Sequence, residues 1–387
     1  MLKSAALLAT ASSETQPITR VLRSDAEWHA IRSEWDELFA VSPTASTALD
    51  FAWLQTWWHV YEHGLRSPQL RVITVWRDTR LIGAIPLYVR QEVSGPLGLR
   101  CLGFLSTGEA EFEETCADYL NLLFVPGEDA VCVGAIWRAI ELMSWDHLEL
   151  LDLPASSPLL NRQCVPRSAR LISRGVCPIA DLSEGFDAYL EKLPPKRRQN
   201  ARRLIREGER AGVTFEVVGS CDADGAFDDL VRLHQARWNA DGKPGVFSAP
   251  RFHDFHRNLI LQWLPHGRAL LVRLSVGASP AAVLYGFLTG QKFDFYQSGV
   301  QRDCDGPLQS PGNLAHLLLM KCLAERGVSA YDFLRSSSAH KERQATRRNE
   351  LIGMHIWRLS LRTVIGRTVR IVSRVYRKVT ALVAGQR

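Results

Sequence analysis

Apolar and polar positions recur at two different periods along this chain, and the switches between them divide it into a run of elements. Residues 18–22 read as a short strand, and 25–39 and 51–63 as two helices whose apolar faces carry Trp28, Trp35, Trp53, Trp57 and Trp58. Alternating segments at 70–76 and 81–90, separated by Arg77-Asp78-Thr79-Arg80, predict a hairpin. Strands are expected at 99–105 and 119–124, a helix at 126–145 and a strand at 147–153, followed by irregular sequence at 154–166. The order then returns. After an arginine-rich helix at 195–211 come strand 213–218, helices 223–241 and 250–264, and strands 269–276, 281–289 and 292–298. Helix 311–326, strand 330–334, a polar helix near 340–350 and strand 352–359 complete it. The repeated order predicts a duplicated α+β domain, 18–175 and 176–360, with a disordered tail at 1–17 and a basic amphipathic helix at 361–387.

Candidate chemistry is concentrated between Phe293 and Lys341. A buried aromatic strand begins it, and a polar loop with Gly299 and Gly306 follows. Ser310-Pro311 reads as an N-cap with proline at the first helical position, and Gly327 suits the residue just past the helix end. A helix start leaves N–H groups unpaired, so the amides of Gly312, Asn313 and Leu314 are expected to hold a phosphate or another anion. Gly312 brings no Cβ against such a ligand. The strand at 331–334 must lie beside the first if the connection is short. Asp332, between aromatics on that strand, is either paired with a base such as Lys341 or Arg335, or functional. Arg237 and Trp238 end a helix ahead of a polar loop, which also reads as a plain capped helix end. His253 and His256, three apart without a third ligand, read as solvated, and no metal is expected.

The chain has 387 residues, 46% hydrophobic and 23% charged, enough for two cores. Its cysteines form no C-x-x-C pair, which excludes a zinc ribbon or a redox motif and points to reduced thiols in the cytoplasm. No apolar run is long enough to span a membrane. The net charge of +6 is concentrated. Lys196, Arg197, Arg198, Arg202, Arg203, Arg206 and Arg210 share one helix, read either as a solvated face or as a site for an anionic acceptor, a nucleotide-linked sugar or RNA. No nucleic-acid-binding motif accompanies it. The 361–387 helix, basic and without acids, reads as an attachment to an anionic membrane surface or as a packing element.

The element order, taken with Leu193–Arg206, Tyr296-Gln297-Ser298-Gly299, Ser310-Pro311-Gly312, Tyr331-Asp332-Phe333-Leu334 and Lys341, resembles the GCN5-related N-acetyltransferase (GNAT) fold. Within it the chain resembles the double-domain FemAB peptidyltransferases and the CelD-type acetyltransferases of cellulose and other bacterial polysaccharide loci. The resemblance implies two tandem domains, each a mixed, mostly antiparallel sheet flanked by helices. It implies acetyl-CoA as acyl donor, its pyrophosphate on Ser310–Leu314 and its pantetheine between the two splayed strands, with Ser298 and Gly299 beside it. Asp332, Tyr296 and Lys341 are the expected catalytic groups: Tyr296 either protonates the leaving thiolate or packs, and Lys341 either binds phosphate or pairs with Asp332. Arg197, Arg198, Arg237 and Trp238 are the expected contacts to a sugar or sugar-lipid acceptor. Where relatives have Tyr-Lys followed by Trp, this chain has His340-Lys341-Glu342-Arg343, which bears on the acceptor side more than on the fold. An aminoacyl-tRNA donor and a catalytically silent scaffold are the rival expectations.

Overall fold

The computed structural model describes residues 16–92, 98–301, 308, 310–335, 338–359 and 363–364. Apart from residues 16–17 and 363–364, the expected tail at 1–17 and the helix at 361–387 lie outside the described residues.

The first half runs β1 (Ile18–Leu22), α1 (Asp25–His29), α2 (Arg32–Val41), α3 (Phe51–Tyr61), β2 (Gln69–Leu70), β3 (Val72–Arg77), β4 (Arg80–Ile85), β5 (Leu87–Glu92), β6 (Leu99–Phe104), β7 (Leu123–Phe124), α4 (Asp129–Leu142) and β8 (His147–Pro154). Ser24 and Glu27 close a capping box on α1, and the helix expected over 25–39 breaks before α2. Pro86 lacks the N–H needed to continue a ladder, and it divides the second strand of the hairpin between two sheets. β4 belongs to a four-stranded sheet, β1-β3-β4-β7, and β5 to a larger one. The strand expected over 119–124 is only Leu123–Phe124, because Cys116 and Tyr119 take positive φ and turn the chain.

The second half runs β9 (Arg170–Asp181), α5 (Phe186–Lys192), α6 (Pro195–Arg210), β10 (Val213–Val217), α7 (Ala223–Ala240), α8 (Pro250–Trp263), β11 (Ala269–Val276), β12 (Ser279–Thr289), β13 (Lys292–Val300), α9 (Pro311–Glu325), β14 (Ala330–Asp332), α10 (Ala339–Gln344) and β15 (Arg347–Trp357). α9 ends as expected at Gly327, φ 81°, with Val328 N–H reaching Leu323 O and Gly327 N–H reaching Ala324 O. The polar helix expected to reach 350 stops at Gln344, since Arg347–Glu350 pair with β9.

Eleven strands form one sheet in the order β10-β11-β12-β13-β14-β9-β15-β8-β6-β5-β2. Two neighbouring pairs are parallel, β13–β14 and β6–β8, and each is bridged by a helix, α9 or α4. The expected division at residue 175 falls inside β9, and β15 carries the end of the second half onto β8 of the first. One apolar core crosses the join: Trp53 on α3 meets Phe255 at 4.9 Å and Phe287 at 5.3 Å, both edge-on. A second core lies under α6 and α9, with Leu314, Met320, Phe293 and Tyr331 buried in it. The architecture is a mixed α+β fold of two halves on a shared sheet.

Candidate active site

β13 has nine residues and β14 only three, so their pairing ends at Asp294 opposite Asp332. The cause is local. Asp332 Oδ1 accepts the Leu334 N–H at 2.8 Å, an Asx turn, and Leu334 sits at φ 55°, which takes the chain off the sheet. On its other edge β13 bulges at Tyr296, since Phe295 faces Gly286 and Gln297 faces Tyr285. A cleft of about 780 Å³ opens where the two strands part. β13 supplies Phe295, Tyr296, Gln297 and Ser298, the start of α9 supplies Ser310–Asn313, and α7 supplies Arg237 and Trp238. Glu114, Cys116 and Asp118 enter from the first half, and Arg335, Lys341 and Arg343 from the segment after β14.

At the helix end of the cleft, Ser310 makes no side-chain cap and Pro311 has no N–H. The Leu314 amide donates to Ser310 O at 3.1 Å, and the Leu314 side chain is buried against α6 beside Gly208, so Leu314 leaves the expected anion site. The amides of Gly312 and Asn313 have no partner among the described residues. Two glycines also serve packing. A Cβ on Gly312 would meet Val300 Cγ2 at 3.1 Å, and one on Gly299 would meet Leu230 O at 2.6 Å, so these residues let α9 and α7 approach β13. Gly299 does not line the cleft, whereas Ser298 does.

Asp332 is fully buried and does not line the cleft. Tyr119 OH donates to its Oδ2 at 2.6 Å, and the cation near it is Lys292 at 3.8 Å, not Lys341 or Arg335 as expected. Burial raises its pKa and Lys292 opposes that rise. Tyr296 lines the cleft, but its hydroxyl donates to Thr115 O at 2.6 Å and receives His256 Nε2 at 3.0 Å. Its proton is therefore committed to holding the 111–118 loop on β13, which displaces the expected thiolate acid. His256, expected to be solvated, is fully buried between Tyr285 and Tyr296, and burial holds its pKa well below the ordinary value. Lys341 does lie in the cleft. Its Nζ donates to Phe333 O at 2.7 Å and stands 4.9 Å from the Phe295 ring, and burial pushes its pKa down to about 8.

Of the acids that line the cleft, Glu111, Glu114 and Asp118, the buried one is Asp118, which the sequence does not single out. Asp118 is 6% exposed; its Oδ2 accepts the Arg335 amide at 2.6 Å. Its Oδ1 is 3.4 Å from Arg335 Nε but accepts no hydrogen bond among the described residues. Burial pushes its pKa up to about 7 against the pull of Arg335. The loop that carries it is fixed by Trp57 Nε1 and Thr115 Oγ1 on Glu109, at 2.5 and 2.6 Å, and by Arg251 on Glu113 at 2.9 Å. The available signal was five acids within residues 109–118 beside apolar segments.

Of the expected acceptor contacts, Arg237 and Trp238 line the cleft, with Lys243 at 5.3 Å from the Trp238 ring. Arg198 is instead turned to Glu191, which Arg202 also holds at 2.8 Å. Arg197 donates to Arg343 O at 3.1 Å and lines a separate pocket of about 200 Å³ with Lys196, Asn313 and Arg343.

Residues 195–342 match the family model described as an acetyltransferase (GNAT) domain. No curated protein matches the sequence. Among solved structures, FemX is similar at a TM-score of 0.54 and 12% identity, over 82% of this chain and 95% of that one. A conserved protein of unknown function from Bacteroides thetaiotaomicron is similar at a TM-score of 0.54 and 12% identity, covering 88% and 100%. The C-terminal domain of a proposed lysylphosphatidylglycerol synthetase from Agrobacterium fabrum is similar at a TM-score of 0.50 and 11% identity, covering 90% and 97%. Residues 195–342 are thus similar to a GNAT acetyltransferase domain, and they sit in a two-part fold similar to that of FemX.

Proposed function

We propose that this chain is an acyl-CoA-dependent acyltransferase, using acetyl-CoA, that acylates an amine or hydroxyl of a sugar or sugar-lipid in polysaccharide assembly. The observation that carries the reading is the opened strand pair. The amides of Gly312 and Asn313, without a partner among the described residues, stand at the cleft, and Asp118, a buried carboxylate whose Oδ1 accepts no hydrogen bond among them, lines it. The pyrophosphate would rest on those amides, and the thioester would lie along the edge of β13 that β14 leaves unpaired. The corresponding helix of the first half begins with Glu128 and Asp129, whose charge repels a pyrophosphate, so the donor is assigned to the second half.

Asp118, poised near neutrality, takes the proton of the attacking amine or hydroxyl as the new bond forms at the thioester carbon. N–H groups on the open edge of β13 meet the oxyanion. The carbon–sulfur bond then breaks, and the Lys341 ammonium protonates the departing thiolate. The sugar acceptor rests on the resemblance to polysaccharide acetyltransferases and on Trp238 and Arg237 in the cleft, an aromatic face beside a fork of donors. Calorimetry with acetyl-CoA, followed by thiol release with a panel of amino sugars, tests the reading; no heat and no thermal shift at millimolar donor would reject it. A second reading is favoured by Lys196, Arg197 and Arg343 around the pocket that shares Asn313 with the cleft, a setting suited to an aminoacyl-tRNA donor. Activity abolished by RNase would establish it.

A further inference from the structure

We propose that a second groove, on the first half, seats the phosphate headgroups of an anionic bilayer, so that the enzyme works docked on a membrane surface. The groove, about 600 Å³, runs between β1 and α4 and shares no lining residue with the cleft. Arg23, Arg71 and Arg138 reach it from three separate segments, and no acid lines it. None of the three guanidiniums has a carboxylate partner among the described residues. Arg71 is held in place by bonds to Leu70 O and Gln69 Oε1, both at 2.6 Å. Its pKa is lowered by burial and by the neighbouring Arg23 charge. Three like charges gathered with one exposed acid nearby, Glu27 beside Arg23, are relieved by an anion, and a bidentate guanidinium suits phosphate.

Apolar groups decide between a soluble anion and a lipid. Val21 and Met143 line the groove beside Leu142, which is 89% exposed, and Leu359 nearby in sequence to the α4 contact is 96% exposed. The last described strand also ends at this rim: Arg358 donates to Met143 O at 2.7 Å and to Glu141 O at 2.6 Å, at the end of α4. Beyond it, residues 361–387 contain seven Lys and Arg and no Asp or Glu. Like charge excludes that segment as the occupant of the arginine groove, and the two together suit one anionic surface.

The test is co-sedimentation of the full chain with phosphatidylglycerol–phosphatidylcholine vesicles and with pure phosphatidylcholine, at low and high salt. The wild-type protein is expected to sediment with the anionic vesicles alone, and less at high salt. The triple variant Arg23→Ala/Arg71→Ala/Arg138→Ala should lose about a hundredfold in partition, at about fivefold per arginine, with acetyl-CoA binding and melting temperature unchanged. The pair Arg23→Glu/Arg138→Glu, both at exposed positions, should show the same loss if the triple variant folds poorly. Wild-type protein left in the supernatant, or variants that sediment like wild type because the tail suffices, would overturn the proposal. So would displacement by inorganic phosphate beyond that by chloride at equal ionic strength, which would assign the groove to a soluble ligand.

Discussion

Replacing Asp118 with Asn separates the cost of this carboxylate to the fold from its use in the reaction. The side chain is 6% exposed, and burial pushes its pKa from 3.8 to about 7 even with Arg335 at 3.4 Å. Across that window the folded protein binds more protons than the unfolded chain, so this group makes stability fall as pH rises from about 4 to 7, and the cost persists above. At about 1.4 kcal/mol per pH step, the ionised carboxylate costs roughly 4 kcal/mol at pH 8. Asn cannot ionise, but its NH₂ would take the place of an oxygen facing Arg335 Nε, returning part of the gain. The expected net effect is a stabilisation of about 1–3 kcal/mol at pH 8 that reverses to a destabilisation of about 1–3 kcal/mol near pH 4, the two differing by the roughly 4 kcal/mol of linkage, with turnover lowered roughly 10²–10⁴-fold. Urea denaturation at the two pH values and a thiol-release assay measure both. A variant with wild-type turnover, or one whose stability difference does not change with pH, refutes the assignment of Asp118 as a strained base.

With Asp118 near 7 and Lys341 near 8, kcat/KM should rise as the carboxyl loses its proton and fall as the ammonium loses its own. Lys341→Met is expected to remove the alkaline limb and lower turnover about a hundredfold; a profile that keeps the limb would assign it to another group. Asp332→Asn should keep the Asx turn, because the amide oxygen can accept the Leu334 N–H, while Lys292 retains only Asp294 at 2.8 Å. A loss of about 1–3 kcal/mol in stability with turnover near wild type is expected, and lost turnover at unchanged stability would return Asp332 to the reacting groups.

Much of the frame was legible because it rests on local rules. Proline at the first position of α9, Gly327 at its end and the aromatic alternation of β13 each follow from backbone or side-chain sterics within a few residues. What the sequence could not show is set by contacts between distant segments. Asp118 reads as one acid in a loop until Arg335, more than two hundred residues later, fixes one of its oxygens. Tyr296 reads as a cleft acid until Thr115 O claims its proton, and His256 as a surface histidine until Tyr285 and Tyr296 enclose it. The missing Cβ of Gly312 reads as room for a ligand, and Gly299 as a neighbour of one. Whether a missing Cβ makes room for a ligand or for a helix depends on which element lies over it, and here α7 and Val300 do.

The wedge between β13 and β14 is itself held open from the other half. Thr47 Oγ1 donates to Asp294 Oδ2 at 2.6 Å, and Tyr119 OH to Asp332 Oδ2 at 2.6 Å, on the last paired residues before the strands part. Lys292 lies between the two carboxylates, 2.8 Å from Asp294 and 4.2 Å from the Tyr119 ring. Two adjacent buried carboxylates with one ammonium would carry an excess negative charge, and the two hydroxyl donors spread it over the end of the strand pair. Since both hydroxyls come from the first half, its role does not end with the Asp118 loop: it also supports the point from which β13 and β14 diverge. The strand pair that parts over the cleft is satisfied only when both halves are packed, because the hydroxyls that hold its last carboxylates reach it across the shared core.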